Sequence, residues 1–287
     1  MKNIITRINV SIRNSLNILK LTIERINEER AAEAAASMAY YGFFSLFPLL
    51  LVAVVVVSTV LENNLSQEQV LNVLIQAIPF SGDLIQENIQ QVLRARSQVG
   101  IISLIGLTWS SLGAFTVLMR NINRAWPNTK ARNFLKVRLM AFVMLAAMII
   151  GLISLFIFNT VSRFLPNDLN LAAKLAFASH NFTQILIGLL LFTSLLILYW
   201  WLPSTRVLWR EAAWGAIISS LGISAVTTGF TWFLESGLSN YNLVYGSLGA
   251  IVALLFWIYM LSVIIFAGAH LSAAIAYVRR GLGKPKD

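Results

Sequence analysis

Six long blocks of apolar residues dominate the chain, at approximately Ala35–Leu61, Val99–Met119, Leu139–Ser162, Phe182–Leu202, Ala212–Leu234 and Ser247–Tyr277. Each reaches the ~20 residues that a helix needs to cross ~30 Å of hydrocarbon. A segment in lipid must satisfy its own backbone hydrogen bonds, and none of the six shows the strict alternation of a barrel strand, so all six are predicted to be helices.

Two segments outside these blocks have helical patterning. Ile8, Ile12, Leu16, Leu19, Ile23 and Ile26 recur at steps of three or four, with Arg13, Asn17, Lys20, Glu24 and Asn27 between them. That spacing predicts an amphipathic helix, either lying at the membrane interface or packed on the ends of other spans. Between the first two blocks, Ser66 and Gln69 form a capping-box pattern ahead of Val70, Leu71, Leu74 and Ile78. Pro79 stops that helix, and Ser81-Gly82-Asp83 can start another with Leu84, Ile85, Ile89, Val92 and Leu93 as its stripe.

Composition sharpens the solvent and charge sets the orientation. Hydrophobic residues make up 57% of the chain and charged ones 12%, against roughly 45–50% apolar and a quarter charged in a soluble domain. Of the 22 Lys and Arg, eighteen fall in the N-terminal arm (Lys2 to Arg30), the second and fourth inter-block loops and the tail; only Arg94, Arg96, Arg163 and Lys174 lie elsewhere. With six spans, that asymmetry predicts a multi-pass protein with both termini in the cytoplasm. The net charge of +10 is then a property of one membrane face, where topology and anionic headgroups account for it, and nucleic acid is not an expected partner. Absence of cysteine excludes disulfides and thiolate metal sites. Met1 to Arg30 shows no cleavable signal-peptide pattern, and there is no repeat or long linker.

Inside the blocks, small residues every fourth position mark contact faces: Ala212, Ala216, Ser220, Ser224 and Thr228 in the fifth, Gly106, Ser110 and Ala114 in the second. Their hydroxyls lend themselves either to helix packing or to a polar path. Pro48 removes a backbone hydrogen bond within the first block and is expected to kink it, beside the phenols of Tyr40 and Tyr41 and the hydroxyl of Ser45. Trp126, Trp200, Trp201, Trp209 and Trp214 near one predicted boundary, with Trp232 near the other, fit an aromatic belt.

Ionisable groups inside a span are functional candidates by default, and here they are few. His270 is the one intramembrane imidazole, flanked by Gly268, Ala269 and Ala273 as a packing residue would be. Two histidines without paired-ligand spacing give no metal site, and no phosphate loop, GxSxG elbow or nucleophile with its base is present. Neither an enzyme nor a bound cofactor is expected. The uncharged strip Ser236 to Ala250, with its asparagines, tyrosines and glycines, suits either a simple outer hairpin or a segment that enters the membrane or closes a cavity.

The run Tyr241-Asn242-Leu243-Val244-Tyr245-Gly246-Ser247-Leu248-Gly249-Ala250, followed by Phe256-Trp257-Ile258-Tyr259, resembles the signature of the YihY/BrkB family before its last helix. Met38-Ala39-Tyr40 through Pro48, Pro79 through Asp83, and Leu202-Pro203 through Arg206 and Arg210 agree with the same family, in order, from about Ile23 to Ala276. Gly268-Ala269-His270 departs from it where the family usually shows Gly-Ala-Glu, which withdraws an acidic role there. The resemblance implies six spans with cytoplasmic termini. It also carries an old ribonuclease label, which the missing ligand set disfavours, and associations with serum resistance and envelope lipid export.

The sequence thus predicts an all-α polytopic membrane helix bundle of about six transmembrane helices, with an N-terminal amphipathic helix and an outer-side helical segment between spans one and two. It forms a single membrane domain over 1–287, with a cytoplasmic arm (1–30), a bundle (35–277) and a tail (278–287). The expected location is the cytoplasmic (inner) membrane. The expected role is handling of a lipid or other amphipathic envelope component, with a non-transporting scaffold as the alternative. Tyr40, Tyr41, Ser45, Pro48, Asn121, Tyr241, Asn242, Tyr245, Gly246 and Gly249 are the substrate-path candidates. Arg120, Arg124 and Arg138 are candidates for anionic headgroups, although ordinary topology charges read the same way. Membrane lipids are the expected partners, alongside a second copy of the chain or envelope proteins.

Overall fold

The computed structural model of the chain describes residues 2–60, 101–126, 129, 132–164, 170–236 and 248–280. These residues form seven helices and no strand: α1 Lys2–Glu28, α2 Ala31–Val60, α3 Ile101–Arg124, α4 Phe134–Phe164, α5 Asn170–Trp201, α6 Trp209–Glu235 and α7 Leu248–Arg280. Each of α2 to α7 covers one of the six apolar blocks, apart from Leu202, just past the end of α5, and Leu61, Val99, Gly100 and Ser247, which lie outside the described residues. The helical segment expected between the first two blocks lies outside the described residues, as does most of the strip from Ser236 to Ala250.

Length and hydropathy alone single out two stretches of the described residues as able to cross a membrane, Trp209–Leu234 and Ile251–Arg280. The surface makes the broader case. Leu139, Ile150, Ile185, Leu189, Ile218 and Leu221, distributed over α4, α5 and α6, all point outward and are exposed. Soluble monomers rarely expose contiguous apolar patches beyond a few hundred Å², so this exterior needs lipid as its solvent.

The last helix is the hub. α7 packs on α6, α2 and α1 and more lightly on α3 and α5, while α2 pairs with α3, α5 with α6, and α4 leans on α3 and α2. Much of the C-terminal half of α7 is enclosed, with Phe266, Ala269, Ala273, Ala274 and Ala276 buried. Small side chains there let several helices approach one axis closely.

The small-residue stripe of α6 is only partly bundle-facing. Ala212 and Ala216 are fully buried, but Ser224 and Thr228 are exposed. Every fourth residue on a 3.6-residue helix advances about 40° around the axis, so a strict four-step stripe rotates off a straight contact. The contact runs through Gly215, Ser219, Gly222 and Phe230 instead; a Cβ at Gly222 would lie 3.0 Å from Cγ2 of Ile264 in α7.

Helix α1 packs on α7 and, more lightly, on α2. Thr22 and Arg25 are buried against the bundle, whereas Leu16, Leu19 and Ile23 face outward as an exposed apolar row. A single residue in left-handed conformation, Arg30 with φ 49°, turns the chain from α1 into α2. Within α2 the helix continues through Pro48.

Candidate functional site

At one end of the bundle, where α6 starts and α7 finishes, lies a buried ion pair. Glu211, in the first turn of α6, accepts from the Leu208 N–H at 3.0 Å and from Arg280, whose Nε donates to Oε1 at 3.1 Å and whose Nη2 donates to Oε2 at 2.6 Å. Arg280 also donates to the Arg206 carbonyl at 3.0 Å. An acid at a helix start and a base at a helix end both suit the helix dipoles. The Glu211 side chain is 1% exposed and that of Arg280 33%. The pair therefore fastens the two helix ends where water barely reaches the carboxylate.

Deeper along the same helices, α5, α6 and α7 meet at a glycine-lined crossing. Tyr199, with no exposed surface, donates its hydroxyl hydrogen there, with the Ile265 carbonyl at 2.7 Å and the Ser219 hydroxyl at 2.9 Å; Ser219 Oγ lies 3.2 Å from the Ile264 carbonyl. A Cβ on Gly268 would collide with the Ser219 hydroxyl and lie 2.7 Å from the Tyr199 hydroxyl, and one on Gly215 would lie 2.5 Å from the Gly268 carbonyl. Neighbouring His270 and Ser272 are buried, and His270 Nδ1 and Ser272 Oγ have no hydrogen-bond partner among the described residues.

The loops after α3 and α5 are strapped together at the same end. Asn123 Oδ1 accepts from the Ser204 N–H at 2.8 Å, and Arg132 Nη2 donates to the Pro203 carbonyl at 3.1 Å. Arg25 reaches from α1 to the Ala125 carbonyl at 3.2 Å, capping the end of α3, and lies 4.8 Å from the centre of the Tyr277 ring of α7.

Between α3, α4 and α5 the packing opens. A cleft of about 620 Å³ is lined by Phe115 and Leu118 of α3, Val143, Met144 and Ala147 of α4, and Leu190, Ile197 and Leu198 of α5, with Gly151, Ser194, Trp201 and Leu202 completing the wall. Ser194 is its one hydroxyl. Its volume lies within the ~300–1,000 Å³ of ligand pockets. A Cβ on Gly151 would meet nothing within 4 Å.

Arg132 sits at the loop end of this cleft. Its Nη1 donates to Met140 Sδ at 2.7 Å, one turn before Met144, and its Nη2 to Pro203, the residue after Leu202. The guanidinium therefore ties the start of α4 to the chain just after α5, beside the cleft rather than in its lining. Partial burial lowers its pKa by disfavouring the charged form, and no carboxylate is within ion-pairing distance of it among the described residues.

The substrate-path candidates do not converge. Tyr40 (57% exposed) and Tyr41 (46%) are on the outside of α2, whereas Ser45 is buried between α2 and α3, its Oγ accepting from the Ala114 N–H at 3.2 Å. Pro48 is partly buried, and Asn121 turns its amide to the Val117 carbonyl of its own helix at 3.0 Å. Gly249 is buried near the start of α7; Tyr241, Asn242, Tyr245 and Gly246 lie outside the described residues. Among the headgroup candidates, Arg120 and Arg124 are exposed. Arg138 stacks 4.1 Å from the Trp109 ring centre and lines a second cavity, between α3 and α4, with Thr108, Leu112 and Phe142. No three of His, Cys, Asp and Glu come together as a metal site among the described residues.

Sequence reasoning counted Arg132 and Arg280 only as topology charges and passed over Glu211 and Tyr199. An acid beside the start of an apolar block was the available signal for Glu211. Tyr199, directly before Trp200 and Trp201, is indistinguishable from a belt aromatic in sequence.

Helices that present apolar side chains to their surroundings and enclose a greasy cleft define a helical membrane protein. The model of the family described as virulence factor BrkB matches residues 22–287, and the chain belongs to that family. It is 25% identical to the ribonuclease-like protein YfkH of Bacillus subtilis (strain 168), over 91% of this chain and 95% of that one. It is also 27% identical to a UPF0761 membrane protein of Actinobacillus pleuropneumoniae serotype 5b, over 86% and 84% of the two chains. A UPF0761 membrane protein of Alcanivorax borkumensis is 24% identical over 89% of this chain, which spans 59% of that relative's length. No solved structure matches the chain.

Proposed function

We propose that the protein is a six-span inner-membrane protein, with both termini on the cytoplasmic side, that moves or accommodates a lipid or another amphipathic envelope component without catalysing a reaction. The cleft between α4 and α5 carries this reading. Its lining is a hydrocarbon solvent in miniature, and its rim of exposed Leu190, Ile197 and Trp201 continues into the apolar exterior. A chain can pass from bilayer to cleft without meeting a charge.

Transbilayer movement of a fluorescent phospholipid in proteoliposomes, followed by quenching with an impermeant reductant, tests the role. Protein-dependent acceleration over empty vesicles is expected, and identical rates would sink the transport reading. The orientation has its own test. The chain lacks cysteine, so a Glu29→Cys variant offers a single thiol, which should stay unreactive to an impermeant reagent in intact cells and react after lysis.

The scaffold reading draws support from α6, where Ser224, Ala225, Thr228 and Gly229 are exposed together. Small residues of this kind allow two helices to approach closely in lipid. Disulfide cross-linking of a Thr228→Cys variant in membranes would favour it, and failure to cross-link would remove its support.

A further inference from the structure

We infer that the α3–α4–α5 cleft is a binding site for one acyl chain of an anionic phospholipid, with the lipid phosphate held by Arg132 at the loop end. The inference deepens the lipid-handling proposal and rests on it.

Four observations combine. The cleft is lined by apolar side chains with Ser194 as its one hydroxyl, which suits a hydrocarbon chain better than a polar solute, and its volume lies in the range of ligand pockets. Just beyond its lining, at the loop end, a guanidinium joins α4 to the chain after α5, through Met140 Sδ, one turn before Met144, and the carbonyl of Pro203, next to Leu202. Arginine has five N–H donors, and a thioether is a weak acceptor, so these two bonds leave most of the fork free to take two phosphate oxygens side by side. Finally, Arg132 has no carboxylate partner among the described residues and is partly buried. An entering phosphate would restore the charge balance that burial disfavours. Arg120 and Arg124, exposed near the same end of α3, add to the attraction of an anionic headgroup over a zwitterionic one.

The test uses delipidated full-length protein in detergent, titrated with dioleoyl phosphatidylglycerol, dioleoyl phosphatidylcholine or inorganic phosphate and read by native mass spectrometry. The native chain should bind phosphatidylglycerol on the order of tenfold more tightly than phosphatidylcholine, as a charge-assisted pair of bonds allows, and should give no adduct with inorganic phosphate. Arg132→Gln should bring phosphatidylglycerol down to the phosphatidylcholine level. Gly151→Phe should weaken both lipids by about tenfold or more, because its ring would occupy the space a chain needs.

Thermal unfolding shows whether each variant is folded, and both substitutions have room: Gly151 faces open space and Arg132 is at the end of a loop. An unchanged lipid preference in Arg132→Gln would overturn the headgroup assignment, and unchanged affinities in Gly151→Phe would overturn the cleft. Phosphate binding as tight as that of the lipid would also overturn the proposal in favour of a soluble anion. Loss of lipid binding in both variants with unaltered lipid movement in vesicles would leave the site standing and take the cleft off the transport path, whereas movement no faster than in empty vesicles for the native chain would remove the transport reading itself.

Discussion

Helix α5 shows two kinds of interface back to back. One face ends in Tyr199, whose hydroxyl is tied to α6 and α7 at a crossing so tight that glycines form its floor. The opposite face, through Leu190, Ile197 and Leu198, borders a cleft in which α4 stands away from it. In lipid, helices associate by close packing and by hydrogen bonds rather than by hydrophobic expulsion. A seam therefore needs small residues and satisfied polar groups, and an apolar face without them stays open to whatever lipid offers. The α5–α6–α7 crossing has both at one level, whereas the small residues lining the α3–α4–α5 cleft, Ala147, Gly151 and Ser194, are not joined by such a network.

Substitutions can break this contrast, and the strongest should act at the buried ion pair that ends the seam. Arg280→Met leaves Glu211 enclosed and uncompensated, a situation that costs about 3–5 kcal/mol in buried pairs. The low end is expected, because Arg280 is one-third exposed, and reversible unfolding in mixed micelles measures it. The double variant with Glu211→Met should recover most of the loss; a double variant as weak as the single would show that packing, not the stranded charge, was responsible.

Gly268→Ala comes next. Its methyl has no place between the Ser219 and Tyr199 hydroxyls, and overpacking of this kind costs about 1–3 kcal/mol. A fall in unfolding midpoint is the expected readout, and a midpoint at the native value would mean the crossing is loose. Tyr199→Phe should cost about 1–2 kcal/mol, since it strips a buried hydroxyl that joins three helices. The smallest effect belongs to the other face. Gly151→Leu should change stability by less than about 0.5 kcal/mol, the range of substitutions away from packed features. A loss matching that of Gly268→Ala would erase the distinction between the two interfaces.

The helices themselves were legible because block length and uninterrupted apolarity are local properties, and each of the six blocks became one helix. Facing was harder. The four-step stripe of α6 gave Ala212 and Ala216 correctly and then misplaced Thr228, because the helix turns faster than the stripe. His270 reads in the sequence as a hydrogen-bonded packing residue among small neighbours; it is buried among them, but its Nδ1 has no hydrogen-bond partner among the described residues. The Glu211–Arg280 pair joins residues 69 apart in the chain, and nothing local in either side chain announces the other. A cleft is harder still, since it is defined by side chains that fail to meet and has no residue pattern of its own. The candidates chosen for their phenols and turns, Tyr40 and Ser45 among them, were scattered over different faces for the same reason.

The position of α7 at the centre has a consequence for how the protein is made. Chains are synthesised from the N-terminus, so α1 to α6 enter the bilayer before the helix on which most of them pack has left the ribosome. Gly215 and Ser219 must wait against lipid until Gly268 arrives, and Arg25 until Tyr277 does. Completion of the bundle is thus deferred to the last of these helices, and a message truncated before Leu248 would yield the α2–α3–α4 and α5–α6 groups without the helix that joins them, a substrate for membrane quality control rather than a weakened version of the protein.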